Sequence, residues 1–162
     1  MMGYLYFPRE ENLKKLGSEH MHAIMSGMSL VLDKTPYGFD SQLFSYEFYS
    51  DQGMTVETGI MGYTTFFSNR ILLSPIIAEQ LTWTNNNGVP NNETAMNTVI
   101  HELTHRRQMR WLKGFAWLFL NIPGIDMTIE RMARENGEAA EIILEKHYAE
   151  LRKTSNKTQC QY

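Results

Sequence analysis

Apolar residues recur at three- to five-residue steps over positions 9–32, the first long patterned segment of the chain. This spacing predicts an amphipathic helix, which the turn-forming residues DKTPYG then end. The next two segments, LFSYEFYS at positions 43–50 and MTVETGIMGYTTFF at positions 54–67, are rich in aromatic and β-branched residues. They predict two strands, and the short apolar run ILLS at positions 71–74 predicts a third.

Two helices follow these strands. Ser74 is a favourable N-cap and Pro75 suits the first helical position, so a short helix begins there. Residues 93–113 contain no Pro or Gly, and Gly114 supplies a stop. The sequence therefore predicts a helix of about five turns over residues 93–113.

The last patterned segment begins at Asp126 or Thr128 and continues to about Arg152 as a second long helix. This order of elements predicts an α+β fold, with a small antiparallel or mixed sheet packed on two long helices. We expect one domain over residues 1–153, because nothing in the chain resembles a linker between two cores. Residues 154–162 have nothing to bury and are expected to form a mobile tail.

Length, cysteine content and charge narrow the classes of protein. A chain of 162 residues can bury a core without cross-links, and its one cysteine, Cys160, cannot form an internal bridge or a cysteine-rich metal site. The 15 Lys and Arg residues against 18 Asp and Glu residues give a formal charge of −3, so we expect no nucleic-acid partner. Any metal must be held by His, Asp or Glu. The basic cluster at positions 106–113 is interpreted as a solvated helix end.

The amino terminus, MMGYLYFPREENLKKL, lacks the basic-then-apolar order of a secretory signal, so we expect a cytoplasmic protein. The most apolar stretch, Phe115–Ile125, is too short for a membrane-spanning helix, which needs roughly 20 residues. A transmembrane segment is therefore not expected, and the stretch is interpreted as a buried connector. Docking on a membrane or a large assembly through Phe115–Leu120 is the less favoured alternative.

The segment VIHELTHRRQ, at positions 99–108, places two histidines four residues apart inside the first long helix. On a helix His101 and His105 are only about 40° apart, so both imidazoles can reach one metal ion. Glu102 is rotated about 100° from His101, where it suits a water in the fourth coordination position. This His-Glu-x-x-His pattern is typical of zinc hydrolysis, in which zinc lowers the pKa of a water and a carboxylate takes the proton. A chance pair of histidines is less favoured, because apolar residues surround this helix.

Zinc at a hydrolytic site usually takes a third protein ligand, and the last helix offers several glutamates. Glu138 lies opposite the apolar face of that helix, which favours a solvated role. Glu130 and Glu141 both lie near its small residues but about 16 Å apart along the axis. We choose Glu130, at the start of the helix, and keep Glu141 and Glu138 as alternatives.

These residues resemble the motif of the gluzincin branch of zinc metallopeptidases, most closely its compact bacterial and phage-type members. The likeness rests on HELTH, on Gln108 three residues after the second histidine, and on IERMA, a glutamate followed by alanine three residues later. YTTFFSNRILLS is also similar to the strand pair that precedes the active-site helix in such domains. The resemblance covers about residues 63–140. It implies a zincin-like fold and one zinc ion held by His101, His105 and Glu130.

The resemblance further implies an endopeptidase acting on peptide or protein substrates, with Glu102 as the general base. One position departs from the family pattern, since many members carry an aspartate where this chain has Arg134. In the family, the group at that position orients a metal-bound imidazole. In this chain the candidates for such a supporting role are Arg134, which occupies the position, and Gln108, which lies on the histidine face of its helix. The departure also motivates an alternative function, a catalytically weak or inactive zinc-bound scaffold of a larger assembly.

The family implies a substrate that pairs with an exposed strand edge, as extended peptides do. The candidate edge consists of Ile71, Leu72, Leu73 and Ser74. For the group that stabilises the oxyanion, Tyr63 fits better than Tyr148, which lies about 27 Å along the helix axis from Glu130. The same likeness leaves open a phage-encoded or virion-associated protein.

Overall fold

The computed structural model describes residues 6–55, 57–65, 68–111 and 124–159. Within them the chain forms an α+β fold with a four-stranded mixed sheet and four helices. The strands are β1 (Leu13–Lys15), β2 (Glu47–Asp51), β3 (Gly62–Thr64) and β4 (Arg70–Leu73). The helices are α1 (Ser18–Val31), α2 (Pro75–Gln80), α3 (Glu93–Trp111) and α4 (Ile125–Gln159).

The prediction of a helix over residues 9–32 is wrong for residues 9–17. The helix begins only at Ser18, after the extended residue Gly17, while the preceding residues form a short 3-10 turn and strand β1. Leu13 of β1 lies opposite Asp51 of β2 in an antiparallel pair. The apolar spacing of so short a segment fits a helix or a strand, and pairing with β2 decides between them.

The four strands have the order β1-β2-β4-β3. The neighbours β2 and β4 are parallel, whereas β1–β2 and β3–β4 are antiparallel. The predicted strand pair in YTTFFSNRILLS is confirmed as β3–β4. The predicted strand at positions 54–67 is much shorter than expected: in the described residues it is limited to Gly62–Thr64, and a turn with Gly59 at φ 67° precedes it.

The prediction that ILLS forms the edge of the sheet is wrong. Strand β4 lies between β2 and β3, and Ile71, Leu72 and Leu73 are each 0% exposed. Ser74 has already left the sheet, and its hydroxyl accepts from the backbone N–H of Ile77 at 3.4 Å as the N-cap of α2. An apolar run fits an interior strand as well as an edge, so the local pattern does not reveal strand order.

Helix α3 runs through the middle of the fold, as its apolar residues on several sides predict. It contacts α1, α2, α4 and β3. Its side chains with no exposed surface are Ala95, Met96, Val99, Ile100 and Leu103. Polar side chains of this helix are buried as well, which requires specific partners for each of them.

The two long helices α3 and α4 approach closely at small residues of α4. Ala133 is fully buried, and a Cβ added at Gly137 would overlap Oδ1 of Asn97 and lie 2.8 Å from its backbone oxygen. Buried Asn136 completes the contact: its amide nitrogen donates to Thr104 Oγ1 at 3.0 Å and to Gly38 O at 2.8 Å. Small residues thus set the spacing of the pair that carries the site.

Helix α4 continues to Gln159, seven residues beyond the predicted end at Arg152. The first part of the predicted mobile tail is therefore helical. The apolar connector Phe115–Ile125, including the docking alternative Phe115–Leu120, lies almost wholly outside the described residues. No helix in the described part of the chain combines the length and apolar character needed to cross a membrane.

Candidate metal centre

His101 and His105 lie one turn apart on α3 and point their Nε2 atoms at the same place. The two Nε2 atoms are 3.1 Å apart, and the rings meet edge to face with centroids 4.7 Å apart. Both side chains are mostly buried against α4. The i, i+4 spacing thus produces the predicted pair of converging imidazoles.

Glu130 of α4 completes a group of three. Its Oε1 lies 3.2 Å from His101 Nε2 and its Oε2 lies 3.2 Å from His105 Nε2. The carboxylate is 55% exposed, so the cluster opens to solvent on this side. Of the three glutamates that the sequence left open as third ligand, the structure brings Glu130 to the histidines.

The other two glutamates have different partners. Glu141 accepts hydrogen bonds from Thr94 Oγ1 at 2.8 Å and Asn97 Nδ2 at 2.6 Å. Glu138 lies on the solvent side of α4, 4.0 Å from Nε of Arg134. Arg134 is therefore not brought to the histidines, because it occupies the exposed face of its helix.

Gln108 does lie beside the ligands. Its Nε2 donates to the backbone oxygen of Ile129 at 3.1 Å, which leaves its Oε1 to face His105 Nδ1 at 2.9 Å. An amide oxygen can only accept, so a neutral His105 carries its proton on Nδ1 and presents the Nε2 lone pair to the cluster, whereas a protonated His105 also donates from Nε2 to Glu130. Gln108 thereby links His105 to the residue next to Glu130.

The carboxylate of Glu130 and the imidazole of His105 each favour the charged form of the other. Hydrogen bonds from His101 and His105 hold the pKa of the Glu130 carboxyl well below its usual range, although burial opposes this. Burial would lower the pKa of His105, but Glu130, Glu102 and Gln108 together raise it above its ordinary value. Glu130 is therefore anionic beside the two imidazoles, so this arrangement favours positive charge in the cluster.

The donor set fits zinc. Two imidazole nitrogens and one carboxylate oxygen form a common ligand set of catalytic zinc, and ligands about 2.1 Å from a tetrahedral ion lie about 3.4 Å from one another. The three shortest contacts here are 3.1, 3.2 and 3.2 Å, and one ligand atom from each residue can be chosen so that all lie within 4.8 Å. His101, His105 and Glu130 could therefore hold one metal ion.

Glu102 lies beside this cluster but turns towards the sheet. It is 5% exposed, and its Oε2 accepts from the hydroxyl of Thr64 on β3 at 2.7 Å. A Cβ added at Gly62 would lie 2.8 Å from Glu102 Oε1 and 2.9 Å from Cγ2 of Thr98. Strand β3 therefore packs directly on the carboxylate, and only glycine fits at position 62 without displacement.

Arg106, directly after the second histidine, fastens the β3–β4 turn to α3. Its Nη1 donates to Thr65 O at 2.8 Å, and its Nη2 donates to Ser68 O at 2.8 Å and Asn69 Oδ1 at 2.7 Å. The guanidinium also lies over the ring of Tyr46, 4.8 Å from its centroid. The prediction that Arg106 belongs to a solvated helix end is wrong, because this side chain is only 7% exposed.

Sequence reasoning missed Thr64, Gly62 and Arg106. A weak signal existed for the first two: they alternate within a predicted strand, so they share one face, and one of them carries a hydroxyl. What the sequence could not supply was which face of β3 meets α3. For Arg106 the signal was a charged residue inside a helix that is apolar on several sides.

The chain was compared with models of known protein families, with curated proteins and with solved structures, and none of them matches.

Proposed function

We propose that this protein is a zinc-dependent metallopeptidase. One observation carries the proposal: two imidazoles and a carboxylate from separate helices converge within hydrogen-bonding distance, next to a buried second carboxylate. Buried, unneutralised carboxylates are costly, so such an arrangement is kept where it performs chemistry or holds a cation.

His101, His105 and Glu130 would hold the zinc ion, and Gln108 would keep His105 in the tautomer that exposes Nε2. When bound, zinc polarises a substrate carbonyl and makes water acidic enough to attack near neutral pH. Glu102 is the general base of this scheme. Its carboxylate takes a proton from the attacking water and returns it to the leaving amine, which allows the peptide bond to break.

The substrate would pair with strand β3, which replaces the interior strand β4 in this role. β3 is the terminal strand of the sheet as described, and it lies against Glu102. An extended peptide that adds to this edge runs past the carboxylate and the metal ligands. This assignment accounts for why the base and the strand are packed together.

The alternative, a zinc-bound scaffold without turnover, was motivated by Arg134 at a position where a supporting acid was expected. Gln108 provides a contact to His105 from another position, so the departure at Arg134 no longer removes that support. The peptidase is therefore the better-supported proposal, and the experiment below distinguishes the two.

The test combines zinc stoichiometry with hydrolysis of casein, an unstructured protein substrate. We expect one zinc ion per chain and metal-dependent hydrolysis by the native protein. Glu102→Gln keeps the shape of the side chain and removes its basicity, so zinc should remain bound while hydrolysis falls at least about 100-fold. Glu138→Gln, on the solvent side of α4, is the matched control and should behave as the native chain.

Each outcome separates the possibilities. Zinc at one equivalent with no hydrolysis of casein or of a mixed peptide library would replace the peptidase with the scaffold. A native chain that binds no zinc would overturn both. Equal hydrolysis by native protein and Glu102→Gln would remove Glu102 from the mechanism.

A further inference from the structure

Strand β3 has two residues whose side-chain positions face the base. Residues alternate between the two faces of a strand, so Gly62 and Thr64 share one face and Tyr63 lies on the other. The shared face meets α3: Thr64 Oγ1 lies 2.7 Å from Glu102 Oε2, and Gly62 leaves room for the same carboxylate. Thr64 is 3% exposed, so its hydroxyl is directed into the protein.

The backbone N–H and C=O groups of the same two residues lie in the plane of the sheet and do not face α3. Thr65 N donates to Arg70 O and Ser74 N donates to Met61 O, which places positions 61 and 65 in the hydrogen-bonded phase of the β3–β4 ladder. In an antiparallel pair this phase repeats every second residue, so Tyr63 also pairs with β4. The N–H and C=O groups of Gly62 and Thr64 are then directed away from β4, towards the side of β3 on which the described residues place no further strand.

Thr64 thus belongs both to the proposed substrate-binding edge and to the surroundings of the proposed general base. Its backbone is placed to pair with an extended peptide, and its hydroxyl contacts the carboxylate that would handle the proton. A hydroxyl has one proton to donate, and the nearer acceptor is the carboxylate at 2.7 Å rather than the backbone oxygen of Glu102 at 3.0 Å. The β-branched side chain of threonine has restricted χ1, so this donor is held in place.

We propose that Thr64 is a positioning residue, whose hydroxyl fixes the rotamer of Glu102 and couples the substrate-binding edge to the general base. The role depends on the proposed function of Glu102. Without the hydroxyl, the flexible three-torsion side chain of Glu102 loses its fixed hydrogen-bond donor, and the carboxylate moves from its productive place. The rate is sensitive to this, because a displacement of about 1 Å in a reacting group can cost up to about 100-fold.

The test compares Thr64→Val, which keeps the shape and removes the donor, with Thr64→Ser, which keeps the donor and loses a methyl group. With casein-derived peptide as substrate, Thr64→Val should lower kcat about 10- to 100-fold and change KM less than about threefold. Thr64→Ser should recover most of kcat. Zinc stoichiometry should stay at one in both variants, and thermal unfolding confirms that both are folded.

A role limited to packing predicts the opposite order, because serine leaves a void that valine does not. Native-like kcat in Thr64→Val, or a larger loss in Thr64→Ser than in Thr64→Val, would overturn the proposal. A loss of zinc in Thr64→Val would also overturn it, since the effect would then act through the metal ligands.

A second readout does not require activity. In metal-free protein labelled with carbon-13 at glutamate Cδ, the Glu102 resonance is the one that disappears in Glu102→Gln. We expect it to shift in Thr64→Val and return towards its native position in Thr64→Ser. An unchanged resonance in Thr64→Val shows that the hydrogen bond is absent and overturns the proposal. If the resonance shifts but the native chain hydrolyses no peptide, the contact is real and the proposed function is what fails.

Discussion

At each end of the α3–α4 pair a glutamate of α4 meets side chains of α3, but the two glutamates have different kinds of partner. At one end Glu130 meets two imidazoles, which bind protons or a metal through nitrogen lone pairs. At the other end Glu141 accepts hydrogen bonds from the hydroxyl of Thr94 and the amide nitrogen of Asn97. Whether a glutamate of α4 is a candidate metal ligand or forms interhelical hydrogen bonds therefore depends on the side chains that α3 places opposite it.

The far end is also held by hydrogen bonds and an ion pair between α4 and the segment that begins α3. Tyr148 donates to Asn92 Oδ1 at 3.2 Å, and Asn92 donates to Leu81 O at 2.9 Å. Arg152 forms an ion pair with Glu93 at 2.8 Å. The far end is therefore expected to contribute stability, whereas the near end holds the candidate metal centre.

The largest effect should come from exchanging the two glutamates for glutamine one at a time. Glu130→Gln should weaken zinc binding by more than about 100-fold, because even outer partners of a metal ligand cost about 10- to 100-fold. Glu141→Gln should leave zinc affinity within about threefold. Competition with a chromogenic chelator measures both dissociation constants, and equal losses in the two variants would contradict the comparison.

Between the two ends, Gly137 sets the distance separating the helices. Gly137→Ala forces a methyl group against Asn97, including its backbone oxygen, and should lower the free energy of unfolding by about 2–3 kcal/mol. Urea unfolding measures the change. The control is Gly17→Ala, where a Cβ meets nothing within 4 Å, and its cost should stay below about 1 kcal/mol. Similar costs at both positions would show that the helices are not closely packed at Gly137.

At the far end, the buried Tyr148 should make the stability of the protein fall in alkaline solution. Burial, with the negative charge of Glu93, raises the pKa of Tyr148 to about 12. A pKa raised in the folded state favours folding below the unfolded value of about 10, and this contribution is lost as the pH rises towards 12. Between pH 9 and 11.5 the native chain should lose on the order of 2 kcal/mol more than Tyr148→Phe in urea unfolding.

Tyr6, whose pKa is also raised to about 12, is present in both proteins of that comparison and cancels. Parallel loss of stability in the native chain and Tyr148→Phe would remove Tyr148 as the source of alkaline sensitivity.

The smallest effect concerns Gln108, which contacts a candidate ligand, with the solvent-facing Arg134 as its control. Gln108→Met removes the acceptor for His105 Nδ1 and should weaken zinc binding about 10-fold. Arg134→Met changes a solvent-facing side chain and should have no measurable effect on zinc affinity. If Arg134→Met were the more damaging of the two, its side chain would have to approach the histidines when zinc is bound.

The sequence predicted the near end of the pair well because helical geometry is local and rigid. Residues four apart must share a face, so His101 and His105 converge wherever the helix goes, and the azimuth of Glu130 follows from the same arithmetic. Gln108 could be predicted for the same reason. Which of Glu130 and Glu141 lies near the histidines depends on how α4 is positioned along α3, which the sequence does not supply; in the structure Glu141 lies against Thr94 and Asn97 instead.

The sheet could not be predicted equally well, because strand order and facing depend on residues distant in the chain. The segment containing β1 has helix-like spacing and becomes a strand only because β2 is available to pair with it. β4 has the composition of an interior strand, yet its own residues do not indicate that it lies between β2 and β3. Thr64 was missed for this reason, since its importance depends on which face of β3 meets Glu102.

The contacts of Arg106 have a consequence for tracing the ancestry of this chain. Two of its three acceptors in the β3–β4 turn are backbone oxygens, which every amino acid supplies. Substitutions in that turn can therefore accumulate while the turn stays attached to α3. Distant relatives should keep an arginine directly after the second histidine of the motif and differ freely in the turn, so the pair His105-Arg106 is a better search signature than the strands it holds.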